Sequence, residues 1–343
     1  MLRKINKNMR HFDLYKVGGN MSRIKKYIDS FRIYDWSKIA NGKLAVFLII
    51  DCILSRIFDG TNTEEYIALE FYRKNRRERA QYLTNIRSKK INNKMLKESS
   101  AEEIASIGNK AVFNKKYRDF IKRDFLETEG SDATEIKAFI EKHGTILAKP
   151  LSRSQGKGIL KINNDELDDT MLNKLVNEEY LLEELIIQHH ALSEINSSSV
   201  NTVRMATVLD HKGEVHIVAA TLRCGSAGNF VDNFHSGGIA YPIDIENGIV
   251  VGKGKNTSDS NAYICHPSSG KLMIGFKIPN WDVVVGTVKK IAAISENMRY
   301  IGWDLAVTED GVDLVEGNYG HAGTVLQFDH IGKYKNVKKW MAI

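Results

Sequence analysis

Cysteine is scarce in this chain of 343 residues: Cys52, Cys224 and Cys265 stand far apart, with no CxxC pair. That excludes a disulfide framework and suits a reducing, cytoplasmic setting. Long apolar runs are missing as well. The longest, Leu44 to Leu54, is broken by Asp51 and falls short of the ~20 residues a membrane span needs, so it reads as a buried helix. The basic start, Met1-Leu2-Arg3-Lys4, has no apolar signal core behind it. Neither GxxxxGK[ST] nor GxGxxG occurs, which removes the Walker and dinucleotide-binding fingerprints. Internal repeats and recognisable nucleic-acid-binding motifs are also lacking.

What is present is an ordinary globular composition, 43% hydrophobic and 27% charged. The length supports two domains or one multi-lobed unit. Basic residues outnumber acidic ones, 49 to 42. Much of the excess precedes residue 125, in Arg73-Lys74-Asn75-Arg76-Arg77 and Lys115-Lys116-Tyr117-Arg118. Such a face can be a solvated helix surface, or it can meet an anionic polymer or membrane surface.

Residues 1–105 read as helical. From Thr63 the segment TEEYIALEFYRKNRRERAQYL has helical spacing and no Pro or Gly. Asp59-Gly60-Thr61-Asn62 is a turn, with Thr61 or Thr63 as the cap of the next helix. The character changes near Gly108. Short β-rich segments at Thr145–Lys149, Thr202–Leu209, Glu214–Arg223 and Tyr300–Val307 alternate with glycine-bearing turns. His211-Lys212-Gly213 closes a hairpin, and a helix is expected over Asp282–Met298. Helices mixed with antiparallel hairpins define an α+β architecture.

Four segments carry chemistry. The first is Ile301–Val307, a turn at Thr308-Glu309-Asp310-Gly311, and Val312–Asn318. A three-residue turn with Gly at its left-handed position places Asp304 opposite Glu316, with Asn318 on the same face. Two carboxylates that close, with no cation nearby in sequence, call for a cation between them. Hard oxygen ligands suit magnesium. An exposed acidic hairpin is the bland alternative, but its apolar flanks argue for burial. The second segment is the apolar strand ending in Lys149, then Ser152–Ile159, where Gly156 and Gly158 permit close backbone approach to phosphates. The third is Tyr180–Ile186, in which Glu183 and Glu184 close an apolar strand. The fourth holds Arg204 and Arg223 in apolar strands, followed by Asp232-Asn233-Phe234-His235-Ser236-Gly237-Gly238. Arginine in such strands usually pairs with carboxylate or phosphate. His235 is read as structural or as an acid–base group.

In this order the segments resemble the ATP-grasp superfamily. The match is best to the sugar-transfer-associated ATP-grasp family, through NTVR…LRCG…VDNFHSGG…GWDLAVTEDGVDLVEGN. The resemblance covers about Asn109 to Asp329 and implies two α+β lobes with ATP between them, preceded by the helical region. The lobes would span 106–190 and 191–343. Lys110 and Lys149 would hold ATP phosphates under a flap containing Gly156 and Gly158. Glu183, Glu184 and Leu185 would line the adenine, with backbone groups of Glu183 and Leu185 facing it. Arg204, Arg223 and Asn233 would act on the transferred group. Asp304, Glu316 and Asn318 would hold magnesium or manganese. The implied reaction is ATP-dependent carboxylate–amine ligation through an acyl phosphate, on small-molecule, sugar-linked or amino-acid substrates. A phosphoryl-transfer kinase and a non-catalytic anion-binding module are the rival readings. The helical start departs from the strand-rich pre-domain usual in such ligases, which leaves the acceptor unidentified.

Overall fold

In a computed structural model of the protein, the described residues are 29, 31, 34–40, 45–151, 158–225, 238–256, 262–320 and 323–342. The N-terminal half is helical, as its spacing predicts, but in shorter pieces. Helices α1 (Trp36–Ala40), α2 (Ala45–Phe58), α3 (Thr63–Ala68) and α4 (Arg76–Arg79) precede α5 (Asn85–Glu98), α6 (Ala101–Gly108) and α7 (Lys110–Lys116). The segment from Thr63 is therefore not one helix. Glu70 takes a left-handed conformation (φ 54°), and Asn75 starts a new helix through a capping box with Glu78. Buried Arg79 then draws this break together, donating to the carbonyls of Phe71 and Lys74 and to the Asp51 carboxylate. The cap of α3 is Asn62, which shares a capping box with Glu65. Thr61, one of the two expected caps, instead donates to Ser55. Helix α2 also departs from expectation. Only Leu48, Cys52 and Ser55 are buried along it.

Two antiparallel sheets follow. The first has the order β1-β4-β2-β3, from β1 (Phe125–Glu127), β2 (Thr145–Pro150), β3 (Leu160–Asn163) and β4 (Tyr180–Glu184). Helices α8 (Ala133–His143) and α9 (Asp169–Asn177) accompany it. Ile136, Ile140, Ile146, Leu175 and Leu182 form the core of this lobe. The alternating burial of β2 reflects one face turned to that core. The second sheet has the order β7-β6-β5-β8-β9, from β5 (Thr202–Leu209), β6 (Val215–Cys224), β7 (Ile239–Ile243), β8 (Tyr300–Thr308) and β9 (Gly311–Asn318). A short helix, α10 (His190–Ser193), follows the link between the sheets. Helix α11 (Trp281–Ala293) supplies Val284, Val288 and Ile291 to the largest core. It ends before the expected Met298, which is buried in the same core.

The large core is not confined to the second sheet. Leu83, Ile91, Met95, Phe113 and Tyr117 from the helical half belong to it, and Tyr117 meets Trp303 edge-on. The chain end closes back on the same helices. Gln327 donates to the Leu83 carbonyl and accepts from its N–H, ahead of α12 (Tyr334–Trp340). Helices α5 to α7 are thus packed onto the second sheet and help to position it. No helix among the described residues is long and apolar enough to cross a membrane.

Candidate active site

Strand register decides which side chains meet. Arg204 lies opposite Asp304, and Asp304 opposite Glu316. Directly opposed residues share a sheet face, and the face recurs at every second residue. Asn318, opposite Gly302, and Arg223, opposite Thr202, fall on that same face. The Asp304–Glu316 pairing is the one expected, but its cause differs. The turn is tighter, because Thr308 already pairs with Gly311 (φ 127°). A β-bulge at Val315 then shifts the register before Asp304 is reached. The bulge also lets Asp313, opposite Ala306, share the face with Glu316 despite their odd spacing.

The hairpin lacks a cation in sequence, but the fold brings two. Arg204 grips both oxygens of Asp304, Nη2 lying 2.6 Å from Oδ2, and Arg223 Nη1 reaches Oδ2 at 3.0 Å. Burial alone would raise the Asp304 carboxyl. Arg204 and then Arg223 outweigh it and hold the group well below the usual carboxylate range. Glu316 behaves differently. Its side chain is 50% exposed and lies 3.9 Å from Arg204, and it accepts from Asn318 Nδ2 at 2.9 Å. Crowding by surrounding protein, then the Asp304 charge, raise its carboxyl above the ordinary value. Glu316 is thus water-accessible on one side and crowded by protein on the other. Asp304, Glu316 and Asn318 could hold a hard divalent cation: two carboxylates, one of them disfavoured as an anion without added positive charge, and an amide whose oxygen would face the ion once its Nδ2 turns from Glu316.

Lys110 comes close to Glu316 and to Lys149. Lys110 Nζ donates to the Pro150 carbonyl at 3.0 Å. Burial lowers its ammonium, with Glu316 the strongest opposing influence and Lys149 adding to the depression. Lys149 is held by Glu183. Both ammonium groups are thus held by the first sheet, Lys110 at the Pro150 carbonyl of β2 and Lys149 at Glu183 of β4.

Glu183 is the centre of a charge cluster that sequence reasoning missed. Arg123, 2% exposed at its side chain, joins Glu183 at 2.9 Å to Asp313 at 2.7 Å. It also donates to the carbonyls of Leu314 and of the bulged Val315. Asn114 Nδ2 donates to Glu183 at 3.1 Å. Burial would raise the Glu183 carboxyl, but Arg123 and Lys149 hold it well below the carboxylate range. One guanidinium thereby ties the first sheet to the β8–β9 hairpin. A signal was available: Asp313 stands between Val312 and Leu314, the same pattern of an acid among apolar strand residues as Asp304.

The adenine expectation for Glu183 is revised. Its backbone is enclosed between Phe125 on β1 and Leu147 on β2, so what it presents is its carboxylate. The Glu184 N–H is also taken, by the Asp124 carbonyl. Leu185 is the first residue past β4, on the link between the sheets. Gly158 (φ 78°) lies two residues before the start of β3 at Leu160. Gly156 and Asn233 lie outside the described residues, as do His235 and Gly237.

Two antiparallel sheets, with Lys149 on one and an arginine–carboxylate face on the other, make up the ATP-grasp fold. The chain belongs to the sugar-transfer-associated ATP-grasp family, whose model matches residues 88–331. Among solved structures it is similar to the ATP-grasp ligase PsnB with minimal precursor, Mg and ADP, at 14% identity and TM-score 0.40. That likeness covers 71% of this chain and 56% of PsnB, little more than half its length. It is also similar to D-alanyl-alanine synthetase A from Vibrio cholerae O1 biovar eltor, at 12% identity and TM-score 0.45, over 71% and 67% of the two chains. A third is N5-carboxyaminoimidazole ribonucleotide synthetase from Thermotoga maritima, at 9% identity and TM-score 0.37, over 63% and 43%. No curated protein matches the sequence.

Proposed function

We propose that the chain is an ATP- and magnesium-dependent carboxylate–amine ligase working through an acyl phosphate, on a sugar acid or amino acid in polysaccharide biosynthesis. The observation that carries this is the row Arg223, Arg204, Asp304, Glu316 and Asn318 on one sheet face, with Lys110 close to Glu316 and to Lys149. A purely anion-binding surface has no use for two carboxylates on that face.

Lys110 and Lys149 would hold the ATP phosphates, and the link at Leu185 would edge the adenine. Asp304, Glu316 and Asn318 would hold magnesium, which when bound offsets phosphate charge. Arg204 and Arg223 are held in place by Asp304 before substrate arrives, so they need little reorganisation as charge builds on the γ-phosphoryl oxygens. A substrate carboxylate oxygen attacks the γ-phosphorus and ADP leaves. An amine then attacks the acyl carbon, phosphate departs, and the amine proton is lost to solvent.

The test is ADP release with MgATP across a set of uronic acids and amino acids, repeated with hydroxylamine in place of the amine. A ligase yields a hydroxamate with the active acid. A phosphoryl-transfer kinase yields ADP and a phosphate ester but no hydroxamate, and that result would replace the ligase reading. Absence of ADP release and of any MgATP binding by folded protein would reject both.

A further inference from the structure

Helix α2 turns an apolar stripe to solvent. Phe47, Ile50, Leu54, Ile57 and Phe58 are all exposed, Phe47 at 63%, Ile57 at 68% and Phe58 at 59%. Val46 and Ile53 continue the stripe at its edges. At 3.6 residues per turn these positions fill about 140° of the helix circumference. The opposite side holds Leu48, Cys52 and Ser55 against the rest of the helical region. Scattered exposed apolar side chains need no explanation, but a continuous stripe of large ones marks an interaction surface.

Charge around the stripe selects the partner. Arg56 flanks it on the same helix, and Arg76 and Arg77 of α4 stand exposed beyond its C-terminal end. The Arg76 guanidinium lies 4.6 Å from the Phe58 ring centroid, so the basic rim and the apolar stripe touch. The nearby acids are already engaged: Asp51 is paired with Arg79, and Glu78 accepts from the Asn75 N–H. A second copy of this chain packed stripe to stripe would set the arginine rims against one another if the helices ran parallel, and would leave the rims without an anionic partner if they ran antiparallel. An anionic, apolar-backed surface satisfies both features at once.

We infer that α2 is a membrane-surface anchor that lies in the headgroup layer of an anionic phospholipid bilayer, its stripe inserted and Arg56, Arg76 and Arg77 on the lipid phosphates. At 14 residues α2 rests on the bilayer and does not cross it. Basic side chains beside an inserted apolar face add electrostatic attraction that salt screens. The docking does not depend on the chemistry of the candidate active site.

The experiment is vesicle flotation of the full chain with phosphatidylcholine vesicles and with vesicles of phosphatidylcholine and phosphatidylglycerol. The wild type should float with the anionic vesicles, much less with the neutral ones, and should partly release as salt is raised. The double variant Phe47→Asp/Ile57→Asp changes two exposed positions and should keep the urea midpoint. Its partitioning should fall about tenfold or more, because two large apolar groups no longer insert. Arg76→Glu/Arg77→Glu should lose the preference for anionic over neutral vesicles. Wild-type protein that stays out of the floating layer with anionic vesicles overturns the inference. So does undiminished flotation of the Phe47→Asp/Ile57→Asp variant. A wild-type dimer in sedimentation velocity that this variant dissociates, with no vesicle binding by either, would assign the stripe to a second copy and overturn it too.

Discussion

Arg123 offers the sharpest test of how the two lobes are joined. Its guanidinium has no route to water, being 2% exposed, and its carboxylate partners are each 3% exposed. Replacing it with Met keeps most of the volume but leaves Glu183 and Asp313 buried with a cation removed. Breaking such a buried pair from one side costs about 3–5 kcal/mol, a large share of the roughly 5–15 kcal/mol that stabilises a typical domain. The loss has an upper bound, because Glu183 keeps Lys149 and Asn114, and Asp313 keeps the N–H groups of Lys122 and Arg123. Arg123→Lys should cost less, on the order of 1–3 kcal/mol, since an ammonium keeps the charge but cannot fork to both acids and two carbonyls. Urea unfolding of the three proteins measures this. In the Met variant the deficit should narrow as pH falls into the carboxylate range, where unpaired acids can take up protons. A Met variant within about 1 kcal/mol of wild type at neutral pH would refute the claim that this cluster holds the lobes together.

Lys149→Ala should remove most of the MgATP-induced rise in melting temperature, and Lys110→Ala should weaken it as well; an unchanged shift in both would misplace the phosphate lysines. Glu65 is buried and its carboxyl is pushed up to about 7, first by burial. A raised acid in the folded state is most favourable while protonated, so its contribution falls as pH climbs from the ordinary carboxylate value through about 7. Glu65→Gln should therefore flatten the decline in stability across that window, by on the order of 2 kcal/mol; parallel pH profiles for the two proteins would contradict this. Substituting Gly317 with Ala should destabilise by roughly 1–3 kcal/mol in urea melts, because a Cβ there meets Phe113 and Trp303 at 3.0 Å.

Much of the second lobe was legible because its signals are local. The β-rich run Thr202–Leu209 and the turn at His211-Lys212-Gly213 locate β5 and β6 with boundaries within a residue or two. Asp304 facing Glu316 was also readable, though only because a tighter turn and a bulge offset one another. What stayed hidden was non-local or two-sided. The pairing of Asp304 with Arg204 and Arg223 joins strands about a hundred residues apart in sequence, and the Arg123 cluster spans both lobes. An apolar run such as Leu44–Leu54 has the same composition whether its face meets a core or solvent, so its exposure could not be read from composition. The break at Glu70 needed a left-handed residue that no Gly or Asn announced.

The metal–nucleotide assignment stands or falls on Glu316. Glu316→Gln keeps the size and the contact with Asn318 while removing a charge that its surroundings disfavour. A structural role for Glu316 would need a fixed cationic partner, and Arg299 is not one, being committed to the Leu209 and Met341 carbonyls and to His211. Melting curves of wild type and Glu316→Gln, each with and without MgATP, make the measurement. The account predicts a ligand-free variant at least as stable as wild type, with the MgATP shift sharply reduced and no ADP release. A variant that melts early yet keeps the full MgATP shift would contradict it.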